Sequence, residues 1–297
     1  MSTANDAAGR VRILTWNVWW RFGDWRARRE VLLDVIRDAD PDVVGLQEVW
    51  GFADPADPED NLAWWLADRL GYRWEFSASS APHRWQNRLR LTGEDADAAD
   101  RIADIEFGNA VLSRHPLRDK HIERLSGGHR DDEGRTALQV TVDLPTGSLP
   151  FTTTHLNSAP YDSAVRHRQL GEVVRLVAGE GRRPGYPPVL TGDFNAVPES
   201  DEVRYACGYL TPGPVRDFVL LDAWRFAEPG DPGLTWNRRN PFVARVHQPS
   251  ARIDYVLVGL APFSGEGSVL GAHLVGTEPV DGIWPSDHAA IVVDLRA

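Results

Sequence analysis

Several polar residues stand at the ends of apolar, β-branched runs, where a purely structural sequence would place turn formers. Asn17 ends ILTWN, Glu48 ends VVGLQE, His155 ends FTTTH, Asp193 and Asn195 end VLTGDFN, Asp254 interrupts RIDYVLV, and Asp287 with His288 precedes AAIVVDL. Carboxylates are rarely buried unpaired, so acids that repeatedly flank core strands need cations, donors or water. A metal ion answers that need. Glu48, Asp287 and Asn17 offer the hard oxygen ligands that Mg2+ or Mn2+ prefers, with water completing the shell. Cys207 is the only cysteine, so neither an intrachain disulfide nor a thiolate cluster is available, and any metal must be held by oxygen or imidazole. Taken singly, each acid also reads as a helix cap or an arginine partner; taken jointly, they point to a metal site.

Residues so spread along the chain must be gathered by strands. VRILTWN, VVGLQEVW, GNAVLSR, TALQVTVDL, PFTTTHL, PPVLTGDF, RIDYVLVG and AAIVVDL read as strands, and apolar residues three and four apart predict helices over Asp24 to Asp38, Asn61 to Leu70 and Asp162 to Ala178. This predicts an α/β fold: a four-layer sandwich of two mixed β-sheets packed face to face, with helices on both outer faces. The motifs fall at both ends of the chain and no long Pro/Gly/Ser linker interrupts it, so residues 1–297 are expected to form a single domain, with 1–10 flexible. Residues 77–104 carry a basic cluster (His83, Arg84, Arg88, Arg90) followed by an acidic run. The Pro/Arg-rich stretch 229–250 holds Thr235, Trp236, Arg238, Arg239, Arg245 and His247. Both are expected to be long substrate-side loops.

A net charge of −11 argues against tight nonspecific binding to a duplex polyanion. Lys120 is the only lysine, a skew typical of high-GC bacterial coding, although arginine's fork suits phosphate. The first ten residues lack an apolar signal core and no run of about eighteen apolar residues occurs, so a cytoplasmic protein without a transmembrane segment is expected. Nothing predicts a protein partner.

In order, TWN, LQE, GNAVLSR, TTHL, GDFN, TW, RIDYVLV and SDH resemble the endonuclease/exonuclease/phosphatase superfamily, to which pancreatic deoxyribonuclease, abasic-site endonucleases, inositol polyphosphate 5-phosphatases and neutral sphingomyelinases belong. The resemblance runs from Asn17 to His288. It implies that Glu48 is the main metal ligand, assisted by Asp287 and Asn17. Asp193 would orient or deprotonate the attacking water, and Asn195 would position it or hold the phosphoryl group. His288 would neutralise a phosphoryl oxygen or act as base, with Asp254 fixing its tautomer. His155 would assist the leaving group or phosphate, with Glu106 or Asn109 as its partner, and Arg135 matches a phosphate-contacting arginine. Abasic endonucleases carry an acid two residues after the first asparagine. Here Trp19 stands there, which favours one metal ion over two.

The resulting expectation is a divalent-metal-dependent phosphodiesterase, acting by in-line attack of an activated water. Its acidity, and the aromatic residues Trp19, Trp20, Trp50, Trp236 and Trp284 beside the motifs, favour a small or lipid-like phosphate ester, with Trp236 on the substrate. The alternatives are a metal-dependent nuclease of DNA or RNA, its footprint supplied by the loop arginines, and a noncatalytic binding descendant.

Overall fold

The computed structural model describes residues 9–52, 55–80, 105–127, 134–180 and 185–297. β1 (Arg10–Asn17) pairs in parallel with β2 (Val43–Gly51) across the helix α1 (Trp25–Ala39), and antiparallel with β12 (Ala290–Arg296). β3 (Arg73–Ser80), β4 (Glu106–Ser113) and β11 (Val269–Val275) complete a six-stranded sheet in the order β11-β12-β1-β2-β4-β3. The second sheet runs β5-β6-β7-β8-β10-β9, from β5 (Leu117–Arg124), β6 (Thr136–Leu144), β7 (Gly147–His155), β8 (Val189–Asp193), β10 (Asp254–Gly259) and β9 (Leu220–Asp222). Its one parallel pair, β7 with β8, is joined by the helix α3 (Ser163–Glu180).

The strands are near-continuous apolar runs because both faces are covered. In β1, Ile13 packs between the sheets while Leu14 packs under α1 and the helix α2 (Leu62–Leu70). In β8, Val189 faces the other sheet while Leu190 joins the cluster beneath α3 and α4 (Asp201–Cys207). Layers of helix, sheet, sheet and helix follow, as the residue pattern predicts. Local signals agree: Asp24 and Asn61 cap α1 and α2 through their side chains, and Gly71 ends α2 in the left-handed region at φ 72°.

Three expectations are corrected at their edges. Arg10 is the first residue of β1, paired with Arg296, because a strand in the middle of a sheet has partners on both sides; residues 1–8 lie outside the described residues. Residues 77–80 belong to β3, where Ser77 pairs with Asn109, and 81–104 lie outside the described residues. The 229–250 stretch holds the short helix α5 (Pro241–Ala244), capped by Asn240 with a proline in its first turn. No helix among the described residues is long and apolar enough to cross a membrane.

Candidate active site

Strand register gathers the second sheet's polar residues. His155 pairs with Asp193 across the parallel β7–β8 ladder, and Asp193 pairs with Asp254 across the antiparallel β8–β10 ladder, so the three stand abreast at one sheet end. Gly192, just before Asp193, has φ 153°, and a Cβ there would lie 2.1 Å from the Thr154 carbonyl oxygen; only glycine lets β8 run this close to β7. Beyond Asp193 the chain turns sharply. Asn195 is left-handed at φ 50°, and its amide donates to Asp193 Oδ1 at 2.9 Å, a side-chain-closed turn that brings Asn195 Nδ2 to 3.0 Å from His155 Nε2.

The first sheet contributes Glu48 through an irregularity. Against β4, the register moves from Leu46–Ala110 to Val49–Gly108, so Gln47 and Glu48 together oppose the single Asn109. This bulge keeps Gln47 between the sheets, where its Nε2 donates to Thr15 Oγ1 and Thr153 Oγ1, and twists Glu48 to φ 56°. A non-glycine residue held in that region costs about 1–3 kcal/mol and persists where the surroundings over-determine it. Glu48 Oε1 thereby comes to 4.0 Å from His155 Nδ1.

Between the sheets, Asn17 Nδ2 donates to Asp193 Oδ2 at 3.0 Å and also bonds Glu48, while its Oδ1 accepts the Trp19 amide at 2.9 Å. Asn17 thus meets the carboxylates through its nitrogen, and the remaining lone pair of Oδ1 is what it can offer an ion. His288 Nδ1 donates to Asp254 Oδ2 at 2.8 Å, which turns Nε2 toward Asp193 Oδ2 at 3.8 Å and Asp287 Oδ1 at 4.0 Å. Two residues given no role by sequence reasoning hold this dyad. Thr235 Oγ1 accepts the Ile253 and Asp254 amides, and Ser286 Oγ donates to the Asn17 carbonyl at 2.6 Å while accepting the His288 amide. Both act through main-chain groups, which leave no pattern in a sequence beyond the hydroxyl in the TW and SDH motifs.

The other sequence-derived candidates scatter around this centre. Arg135 is 1% exposed, its guanidinium 5.7 Å from the Phe107 ring, and its charge steadies the Glu48 carboxylate. Asn109 turns its amide to the Thr136 carbonyl at 2.9 Å, and Glu106 begins β4. Trp236 is half-buried, with its main chain bonded to Ala251 and bridged to His288. Of the aromatic residues beside the motifs, Trp20 and Trp50 pack in the core under the helices, and Trp19 leans on Phe242. Trp284 alone of these five lines the cavity of about 220 Å3 that opens beside Asp287 and His288; Thr235, Asn237, Arg239 and Glu278 form much of its remaining wall.

The charges explain what this centre can bind. Burial pushes Asp193 up to about 6, with the neighbouring Asp254 adding to the shift and His288 opposing it. Burial likewise pushes Asp287 up to about 7, opposed by His288 and aided by Glu48. Glu48 is raised by burial against the bond from Asn17. Burial opposes the charge on His288, but Asp254, Asp287 and Asp193 outweigh it and raise this imidazole well above its usual range. The side chains of Glu48 and Asp287 keep 13% and 18% of their surface open, so a cation can reach them. Ligand atoms of Asp193, Asp254 and His288 also lie within 4.8 Å of one another and could hold a metal ion. With His288 Nδ1 already committed to Asp254, Glu48 and Asp287 are the better-disposed anionic pair, and an unneutralised pair of carboxylates with raised pKa values is a donor set that fits a hard divalent cation.

A stability consequence follows with a definite sign. Asp193, Asp287 and His288 all bind protons more tightly folded than unfolded, so each stabilises below its unfolded pKa and that contribution is lost as pH rises through the folded value. In chelator, the thermal midpoint is expected to fall from about pH 4 to beyond about pH 7, and Mn2+ to raise it by several degrees more at about pH 8 than at about pH 5. Differential scanning fluorimetry at the two pH values checks this; equal Mn2+ shifts would contradict it.

The sequence profile of the Endonuclease/Exonuclease/phosphatase family matches residues 14–288. The Caenorhabditis elegans protein F14F9.5, described as uncharacterized, is 22% identical over 341 residues, spanning 99% of this chain and 93% of the other. Among solved structures, zebrafish (D. rerio) TDP2 complexed with single-strand DNA product aligns at TM-score 0.70 and 19% identity, covering 97% of this chain and 99% of the other. The human Nocturnin catalytic domain with bound sulfate aligns at TM-score 0.67 and 20% identity, covering 97% and 95%.

Proposed function

Because the chain belongs to the endonuclease/exonuclease/phosphatase family, we propose that it is a divalent-metal-dependent phosphodiesterase that cleaves its ester by in-line attack of water. The observation that carries the reading is the convergence on Asp193, whose Oδ2 lies 3.0 Å from Asn17, 3.4 Å from His155 and 3.8 Å from His288. Glu48 and Asp287, with Asn17, would hold Mg2+ or Mn2+, which when bound supplies positive charge against the phosphoryl oxygen. Asp193 orients the water and takes its proton, a task suited to a carboxylate raised to about 6. Asn195 Nδ2, in contact with His155 Nε2, would form with the His155 ring one wall of the place where the phosphoryl group sits. His288, held by Asp254, directs its Nε2 proton at an oxygen that gains charge as the leaving group departs. Attack by water needs no covalent enzyme intermediate.

The preferred substrate is a small or lipid-like diester. The net charge of −11 repels long polyanions, and the cavity beside His288 sets Trp284 against polar walls. A second reading, an enzyme of nucleic-acid ends, draws on the DNA product bound by zebrafish TDP2 and on the exposed Arg238, Arg239 and Arg245. With Mn2+ present and Glu48→Gln as blank, kcat/KM for an aryl phosphodiester is expected to exceed that for single-stranded DNA, per phosphodiester, by at least about tenfold. DNA cleavage that dominates and collapses as salt rises would select the second reading.

A further inference from the structure

Arg28 in α1 is 2% exposed and belongs to none of the motifs. Its guanidinium donates to five main-chain carbonyls: Nε to Phe22 at 3.0 Å, Nη1 to Val18 at 3.0 Å and Pro285 at 2.8 Å, Nη2 to Trp19 at 2.9 Å and Trp20 at 2.8 Å. Every N–H of the fork is used. Four of these carbonyls belong to the single turn that follows Asn17, and they converge because Trp19 and Trp20 adopt φ 57° and 32°. The fifth belongs to the residue before Ser286, so one buried cation joins this turn to a segment 257 positions beyond Arg28 in the chain.

Each segment passes its position directly to the active centre. On one side, the Trp19 amide fixes Asn17 Oδ1, and Asn17 Nδ2 reaches Asp193. On the other, Ser286 Oγ bonds the Asn17 carbonyl and receives the His288 amide, with Asp287 between them. Arg28 also lies 4.8 Å from the Trp19 ring, which packs against Phe22 at 5.7 Å and against Phe242 in α5 at 4.4 Å, from the stretch that walls the cavity. We propose that Arg28 is a positioning residue: a built-in cation in a cage of carbonyls, which sets the spacing between Asn17 and the Asp287–His288 segment and thereby the affinity of the site for its metal and the rate of turnover. A lysine carries its three donors on one atom and cannot span acceptors aimed at three different nitrogens.

The test uses Arg28→Lys, which keeps the charge and loses the fork, and Arg28→Ala, which leaves the carbonyl cage open. Mn2+ binding by calorimetry is read alongside kcat, KM and the thermal midpoint. Both variants are expected to lose about 10- to 100-fold in Mn2+ affinity or kcat, with KM changing by less than about threefold. Guanidinium chloride at about 20 mM should restore Arg28→Ala by about tenfold, while urea, of the same shape without charge, should not. Wild-type Mn2+ affinity and kcat in Arg28→Lys would overturn the proposal, as would losses that urea and guanidinium affect alike. If Arg28→Ala does not fold, Arg28→Lys decides. The proposal rests on the metal-site reading above but not on the substrate: should the wild type bind Mn2+ and hydrolyse nothing, the enzymatic reading falls while the calorimetry of Arg28→Lys still judges Arg28.

Discussion

Glu48→Gln is expected to reduce metal-dependent turnover on the order of 10³-fold, since removing one of the two better-disposed anionic ligands forfeits several kcal/mol of charge stabilisation at the phosphoryl oxygen. The amide keeps the side chain's volume, the left-handed turn at φ 56° and a partner for Asn17, so the fold survives. Stability should move the opposite way from activity. Burial raises the Glu48 carboxylate, and Glu48 in turn raises Asp287, so the metal-free protein carries a repulsion that glutamine relieves. In chelator at about pH 8 the variant is expected to unfold no earlier than the wild type, and to have lost the Mn2+-dependent rise in its midpoint. Full activity with unchanged Mn2+ affinity would sink the assignment of Glu48.

The second large effect belongs to the Asp254–His288 pair. His288→Ala is expected to lower kcat by about 10²- to 10⁴-fold, the usual value of a positioned acid or base. Asp254→Asn should act through the imidazole. Asp254 Oδ1 is buried with no hydrogen-bond partner among the described residues, so the bond that Oδ2 accepts from His288 Nδ1 at 2.8 Å is the side chain's one hydrogen bond there. The double variant should therefore be no slower than His288→Ala alone; a loss equal to the product of the single losses would refute the coupling. Stability supplies an independent check. His288→Ala strands a fully buried carboxylate at a cost of about 3–5 kcal/mol, and adding Asp254→Asn should recover much of it.

What the sequence disclosed followed from burial. Strands covered on both faces are apolar throughout, so a polar residue at their tips stands out, and Asn17, His155, Asp193 and Asp254 could be read without a structure. The edge strands carry no such signal, for the complementary reason. β5, LRDKHIER, is almost wholly exposed and β11 is mostly half-exposed, so neither shows the apolar run that betrays an inner strand. α4 is only seven residues long, too short for periodicity, although Ser200 followed by two acids marks its start. Asn109 stands where a partner for His155 is expected, before a strand, but its side chain donates to the Thr136 carbonyl instead, and the bulge opposite it in β2 leaves no trace in either strand's residue pattern. A one-residue slip in register is invisible until the partner strand is known. Arg28 lay hidden because its acceptors are carbonyls, which every residue carries alike.

The pairing of β1 with β12 has a bearing on how the protein is made. β1 lies between β2 and β12, and the Ala297 amide closes the pair on the Gly9 carbonyl at 2.9 Å. During synthesis β2 is available soon after β1, whereas β12 emerges only after β2 to β11, leaving one long hydrogen-bonding edge of an apolar strand open in the meantime. Closing it pairs residues as distant in sequence as Arg10 and Arg296, and such non-local pairing is slow. Asp287 and His288 arrive with β12, so the nascent chain carries no complete catalytic centre while it is most prone to aggregate. Variants that weaken β12 should therefore show up first as poor yield, with whatever protein survives remaining fully active.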